Sequence, residues 1–340
     1  TKDSEAYYTF NKFCIELDDL KSNNHDLNEQ SRIEHIWDGV KQTFQTIDEW
    51  YENRELYHYI GYLIEFGADI NCLIEESKKM KKNDFLEKNL KASKIKQTLQ
   101  NINVEELSYN NYNDIKKVLL LFNIHTVLQS EKSDMRFPFY RYKKEHWDIE
   151  HICAQTDYEI NNLNKRLDWI KDMLDFFVGK DDFDNINTCI EDLEKHINSN
   201  NKNNISNQIN QEENELDILK GLMKLQENTD DTTFNEVYKK VMVYCHEDRI
   251  EDKDNIGNLT LLDAETNRSY KNAFFPIKRK RIINNDKQGV FVPIVTKNVF
   301  LKYYTHKGDN LMFWSKQDAN DYLNAMKEII ELYQNKYYAK

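Results

Sequence analysis

Three prolines and eight glycines in 340 residues constrain this chain more than any other feature of it. Sandwiches, barrels and collagen-like repeats need turn residues at short intervals, and the scarcity excludes them. Few breakers together with abundant Lys, Glu, Leu and Ile point to helices. Hydrophobic residues make up 39% of the chain and aromatics 12%, enough to bury a core in each of two or three domains. No stretch approaches the ~18 consecutive apolar residues of a membrane span, and no secretory signal opens the chain. Thr1 is not an initiator residue, which suggests a fragment of a longer protein. The five cysteines (Cys14, Cys72, Cys153, Cys189, Cys245) are odd in number, scattered and never spaced as CxxC. That fits a reducing, cytoplasmic location and excludes a zinc site built from cysteines.

The net charge of −12 hides an asymmetry. Residues 157–255 hold 24 acidic and 12 basic residues, the whole of the excess, while the rest of the chain balances at 35 of each. Within that balanced part, residues 268–302 hold nine bases and one acid, and residues 132–144 five bases and one acid. Charge runs are often plain solvated faces. Local potential, not net charge, sets where a phosphate backbone can land, so these two stretches are candidates for it.

Residues 1 to about 130 read as helices. Tyr57-His58-Tyr59-Ile60-Gly61-Tyr62-Leu63-Ile64 continues an apolar stripe begun near Ile47 and Trp50, with Gly67 as its stop. Residues 114–124 have an acidic first turn and then become apolar all round, which predicts a helix central to a bundle. The texture changes at Arg136-Phe137-Pro138-Phe139-Tyr140, predicted extended. Trp147-Asp148-Ile149-Glu150-His151-Ile152 alternates like a short strand, as does Ile256-Gly257-Asn258-Leu259-Thr260-Leu261-Leu262. Residues between the two return to helical patterns, broken by an Asn-rich run over 198–214 that reads as a loop. A helix over 266–277 is expected to end at Pro276, another to be capped at Thr296, and a last one to start at Ser315 with Asp318 three residues on. The skeleton is strand, helical excursion, strand, helix.

Hydrolysing a phosphodiester at neutral pH takes a base to activate water and a hard cation to stabilise developing charge. Histidine suits the first role, and carboxylate or amide oxygens suit Mg²⁺. Glu150 and His151 stand side by side at the end of the first strand. Strand neighbours face opposite ways, so both serve one site only if the chain bends there.

The two strand motifs, with Asn267, Phe275 and Lys278, resemble an HNH (ββα-metal) nuclease, and more narrowly the nuclease domain of GmrSD-type, modification-dependent restriction and phage-defence proteins. The resemblance implies that Glu150 ligands the metal, that His151 is the general base, and that Asn258 tethers the hairpin loop and helps orient the base. It implies that Asn267 completes the metal site and that Lys278 contacts phosphate. The metal would be Mg²⁺ or Mn²⁺. Two departures stand out: the family's proline three residues after the histidine is Ala154, and the insertion between the strands is long. The Leu-Leu-Leu-Phe-Asn segment at 119–123 and Phe-Pro-Phe at 137–139 resemble the region joining this nuclease to an amino-terminal nucleotide-sensing domain, whose signature this chain lacks.

A Glu-His pair alone is weak, and the chain carries its own control. Ile33-Glu34-His35-Ile36 repeats the motif in a helical stretch with no asparagine hairpin after it. Asn267 has a plainer reading as a helix cap. Asp148 shares the face of Glu150 and is read as a further metal-side acid or a surface residue. Lys278, Arg279, Lys280 and Arg281 read as a phosphate track, which gives affinity without sequence choice. The expected architecture is mainly α: a helical bundle over 1–135, then an HNH domain over 136–340 with a helical insertion at about 158–250 and C-terminal helices. The expected function is a divalent-metal-dependent DNA endonuclease, the effector module of an antiphage restriction system. It is expected to meet no membrane, and its oligomeric state is left open. The alternatives are a catalytically degenerate module that binds nucleic acid or protein, and an RNA-cleaving nuclease. The acidic insertion further raises the idea of a DNA mimic lying over the basic cleft, against the plainer reading of a solvated excursion.

Overall fold

The computed structural model describes residues 7–23, 28–130, 132–154, 160, 162–179, 183–200, 206–227, 229–246, 251–266, 273–305, 311 and 313–335. It is mainly helical and divides into two compact units. The first comprises Thr1–Thr98 with Lys132–Arg136 and Tyr337–Lys340; the second comprises Leu99–Glu131 and Phe137–Lys336. Among the described residues no helix is long and apolar enough to cross a membrane.

The first unit contains α1 (Tyr8–Asn23), α2 (Glu29–Glu52), α3 (Arg54–Glu65) and α4 (Ile70–Lys78), followed by a π-helical stretch at Phe85–Ile95. Asparagine side chains start two of these helices: Asn28 accepts from Ser31 N–H and Asn53 from Leu56 N–H. α3 stops at Gly67, whose φ of +91° only glycine adopts without cost. The Gly67 N–H then reaches Ile64 O and the Ala68 N–H reaches Leu63 O, satisfying the last carbonyls as the sequence suggests. Trp50 of α2 stacks on Phe85 with ring centroids 6.0 Å apart, both buried.

The second unit is built around α5 (Tyr112–Leu128). Its buried residues run through Ile115, Val118 to Ile124 and Val127, so it is covered on nearly all sides, as its uniform apolarity predicts. After it come α6 (Phe139–Lys144), β1 (Asp148–His151), the insertion helices α7 (Leu163–Phe177), α8 (Ile186–Asn200), α9 (Ser206–Glu227) and α10 (Asp231–Tyr244), then β2 (Leu259–Leu262), α11 (Phe275–Lys287), α12 (Ile294–Phe300) and α13 (Lys316–Asn335). α5 packs against α12, α13 and β2. Its buried Asn123 accepts from Val295 N–H at 3.2 Å, serving the start of α12, which has no side-chain cap of its own.

β1 and β2 form a two-stranded antiparallel sheet with Asp148 opposite Leu262 and His151 opposite Leu259. All four β2 residues are buried. Thr260 and Thr296 join hydroxyls at 2.9 Å, and the Thr296 hydroxyl also donates to Leu261 O, which fastens α12 to the sheet. The turn before β2 is a short 3₁₀ segment, Ile256–Asn258, rather than strand. A Cβ on Gly257 would lie 2.8 Å from the backbone oxygen of Ala319, so glycine lets α13 approach this turn closely.

Four local expectations are corrected. Pro276 stands in the first turn of α11, where a proline gives up only an N–H that had no helical partner, and residues 267–272 of the helix expected before it lie outside the described residues. The Asn-rich run is not a loop throughout: α8 extends to Asn200 and α9 starts at Ser206. There, packing of Ile218, Leu219, Leu222 and Leu225 in the insertion core outweighs the weak propensity of asparagine. Thr296 lies inside α12 and Pro293 is its N-cap. Extended chain ends at Pro138, and α6 begins at Phe139. The Ser315 cap is observed, with Ser315 N–H donating to Asp318 Oδ2 and Asp318 N–H to Ser315 Oγ.

The insertion has its own core: Trp169, Ile170, Met173 and Leu174 of α7 pack with residues of α9 and α10. Ala273, Phe274 and Ile277 belong to the same cluster. Helix α11 is thereby seated between the insertion and the sheet.

Candidate active site

β1 ends at His151, and the chain turns at once. Ile152 N–H donates to Asn258 O at 2.8 Å, and Cys153 N–H donates to the Asn258 side-chain oxygen at 2.9 Å. The amide nitrogen of Asn258 donates to Lys253 O at 2.8 Å. Asn258 is fully buried and stitches the segment after the histidine to the segment before β2. Ala154, in the position where the resemblance expects proline, has its carbonyl held by the Lys253 ammonium at 2.8 Å.

Glu150 and His151 point to different partners, as strand neighbours must. Glu150 is buried, and its Oε1 accepts from Lys278 Nζ at 2.6 Å. Burial pushes its carboxyl above the ordinary carboxylate range, with the Lys278 ammonium pulling the other way. Lys278, 1% exposed, also donates to the backbone oxygen of His151 at 2.6 Å. One ammonium from α11 therefore holds both members of the Glu-His pair.

The His151 ring faces the other way. Its Nε2 donates to Asp254 Oδ1 at 3.0 Å, and its ring lies 4.9 Å from that of Tyr109. Burial lowers the imidazole pKa, Lys278 lowers it further, and the hydrogen bond that the ring donates to Asp254 opposes both. A depressed pKa keeps the ring neutral at physiological pH, the state a base needs. Asp254 and Tyr109 are themselves joined, because Tyr109 N–H donates to Asp254 O at 2.8 Å.

Asp148 is engaged elsewhere on the strand. Its Oδ1 accepts from the Tyr112 hydroxyl at 2.6 Å and from Ile149 N–H at 2.7 Å. Asn267 lies outside the described residues. Of the bases after Lys278, Lys280 pairs with Asp175 at 2.7 Å and Arg281 pairs with Asp172, so two insertion carboxylates lie against the basic helix. Arg279 is half-buried and lines a cavity of about 350 Å³ with Phe176, Ile283 and Lys287. The structure thus brings Glu150, His151, Asn258 and Lys278 together, and sets Arg279, Lys280 and Arg281 along the same helix facing the insertion. His35 lies exposed on α2 of the first unit.

Residues 245–326 match the family model of the GmrSD restriction endonucleases, C-terminal domain. The GmrSD match takes in Asn258, β2, Lys278, α11, α12 and the first half of α13, and starts where the insertion ends. β1, with Glu150 and His151, precedes it in sequence and reaches it through the strand pairing and the Asn258 and Lys278 bonds. The matched stretch is similar to a restriction-endonuclease module and covers only part of the chain. No curated protein and no solved structure matches the chain.

Sequence reasoning missed Asp254, Tyr109 and Lys253. Asp254 sits in the charged run 251–254 just before the asparagine turn, where it reads as surface charge. Among the described residues no group of three or more His, Cys, Asp or Glu is arranged to hold a metal. Glu150 Oε1 already faces an ammonium and Asp148 Oδ1 two donors. The described side chains by themselves do not fit a divalent ion.

Proposed function

We propose that the β1–β2–α11 unit hydrolyses DNA phosphodiesters, as the effector module of a restriction system directed at foreign DNA, with His151 as general base. The observation that carries this reading is the partly buried His151–Asp254 pair at the strand end, tied by Asn258 and Lys278 to a segment that matches the GmrSD restriction endonucleases. With Nε2–H donating to Asp254, the lone pair is on Nδ1. That nitrogen takes a proton from water as the water oxygen bonds phosphorus and the P–O bond to the sugar oxygen breaks, the leaving oxygen taking its proton from solvent. Asp254 stabilises the imidazolium so formed, and Lys278 fixes the backbone from which the ring projects. The resemblance adds control by an amino-terminal nucleotide-sensing domain in the full-length protein, and dependence on Mg²⁺ or Mn²⁺.

The test is nicking or linearisation of supercoiled plasmid with Mg²⁺, with Mn²⁺ and with EDTA, comparing the chain with His151→Ala. Loss of a general base costs ~10²–10⁴-fold in rate. Equal cleavage by both proteins, or no cleavage by the parent chain with either ion, refutes the reading. Salt-sensitive DNA binding without cleavage would favour a degenerate binding module. Running the same series on RNA separates the two nuclease readings.

A further inference from the structure

Helix α2 is apolar on two faces. One face places Ile36 and Trp50 in the core of the first unit. The other carries Ile33, Trp37, Val40, Phe44, Ile47 and Tyr51, all exposed, with Trp37 at 54% and Phe44 at 67%. Their spacing alternates four, three, four, three, four. That is a 3.5-residue period over the whole helix, the seam of a left-handed coiled coil. Scattered exposed apolar residues need no explanation, but a continuous seam does. α2 already packs along α1 and α3; within the seam Val40 borders a groove with Leu20 of α1 and the Tyr51 ring meets Tyr57 and the Arg136 guanidinium, while the seam as a whole stays exposed.

The side chains identify the partner. Aromatic and aliphatic residues alternate along the seam: Trp37, Phe44 and Tyr51 at one heptad position, Ile33, Val40 and Ile47 at the other. In an antiparallel pairing with an identical helix about a two-fold axis, Tyr51 faces Ile33 of the second copy, Ile47 faces Trp37, and Phe44 faces Val40. Every layer then sets one large ring against one smaller branched side chain, the alternation that lets layers interdigitate. A parallel pairing would set Trp37 on Trp37 and Phe44 on Phe44, overfilling alternate layers. The six side chains expose on the order of 600 Å² in each copy, most of the ~800 Å² per partner of a standard interface. The helix itself is about 36 Å long, enough for all six layers.

We propose that α2 is a homodimerisation helix, pairing antiparallel with α2 of a second copy through Ile33, Trp37, Val40, Phe44, Ile47 and Tyr51. The contact is isologous, so it closes at two chains and does not propagate. It rests on the first unit alone and is independent of the nuclease reading.

Sedimentation equilibrium of the whole chain tests it. The parent protein is expected near twice its 40.9 kDa, Phe44→Glu near that mass itself, and Gln42→Glu, off the seam, as the parent. Helicity by circular dichroism separates loss of pairing from loss of fold. Orientation is tested by mixing Phe44→Glu with Val40→Lys: each alone is monomeric, and antiparallel pairing places Glu against Lys, so the mixture recovers dimer. A monomeric parent at 100 µM, a folded Phe44→Glu that still dimerises, or a mixture that stays monomeric overturns the proposal.

Discussion

Nε2 of His151 and Oδ1 of Asp254 lie 3.0 Å apart although 103 positions separate the two residues in the chain. The whole insertion intervenes between them, so the pair exists only because β1 and β2 come together. On the proposed function, this relationship supplies the Glu-His dipeptide with the carboxylate that orients its base.

Removing the carboxylate tests that role. Asp254→Asn should slow plasmid cleavage by about tenfold or more while leaving DNA affinity unchanged. The pH dependence distinguishes positioning from general damage. Asp254 favours the protonated ring, so its loss lowers the His151 pKa below the already depressed value. The acid limb of the rate profile should therefore move to lower pH, as read from single-turnover rates between pH 5 and 8. A limb that stays in place or moves up contradicts the assignment.

The buried pair of Glu150 and Lys278 makes a stability prediction. Lys278→Met leaves a carboxylate buried without its ammonium, and breaking such a pair typically costs about 3–5 kcal/mol. The double variant Glu150→Met, Lys278→Met removes both charges and should recover much of that loss. Urea titrations of the three proteins measure it. A double variant as unstable as the sum of the single ones would show that packing, not charge, dominates here.

How much of this was legible beforehand follows chain distance. Both strands were readable because Leu-Thr-Leu-Leu and Trp-Asp-Ile-Glu-His-Ile are local patterns, whereas Ile256-Gly257-Asn258, read as part of the second strand, folds as a 3₁₀ turn. The Gly67 stop and the Ser315 cap were readable for the same reason. Asp254 was not, because one aspartate in a charged run looks the same whether it faces water or a histidine. The pairing of Asp172 with Arg281 was hidden likewise, since it depends on α7 and α11 sharing a core through Trp169, Phe274 and Ile277. Pro276 misled because proline reads as a stop, although the first turn of a helix accepts it equally well, as at the start of α11.

Those insertion carboxylates should weaken DNA binding. Asp172→Asn with Asp175→Asn frees Arg281 and Lys280 for phosphate without touching the apolar core between α7 and α11. Each cation freed adds about 0.9 to the magnitude of the salt slope, so log affinity against log salt should steepen by roughly one to two. Fluorescence anisotropy on a short duplex at several salt concentrations reads this directly. An unchanged slope would mean that the basic face of α11 does not meet DNA, and the idea of an acidic cover would go with it.

The first unit carries a separate pH signature in His58. Burial holds its pKa at about 4, and the nearby Arg54 and Arg136 charges add to that, while Nδ1 donates to Arg54 O. In the unfolded chain the ring titrates near 6.5. Between these values only the unfolded state takes up the proton, so His58 contributes stability that is fully present above pH ~6.5 and is lost as pH falls through about 4. The loss amounts to about 3 kcal/mol at the acid end. His58→Gln keeps a donor for Arg54 O and cannot titrate. Unfolding free energies of the two proteins should therefore converge as pH falls from 7 to 4, with the parent losing its advantage. A difference that stays constant over that range would mean that His58 is already protonated in the fold, or that its burial is relieved before the ring titrates.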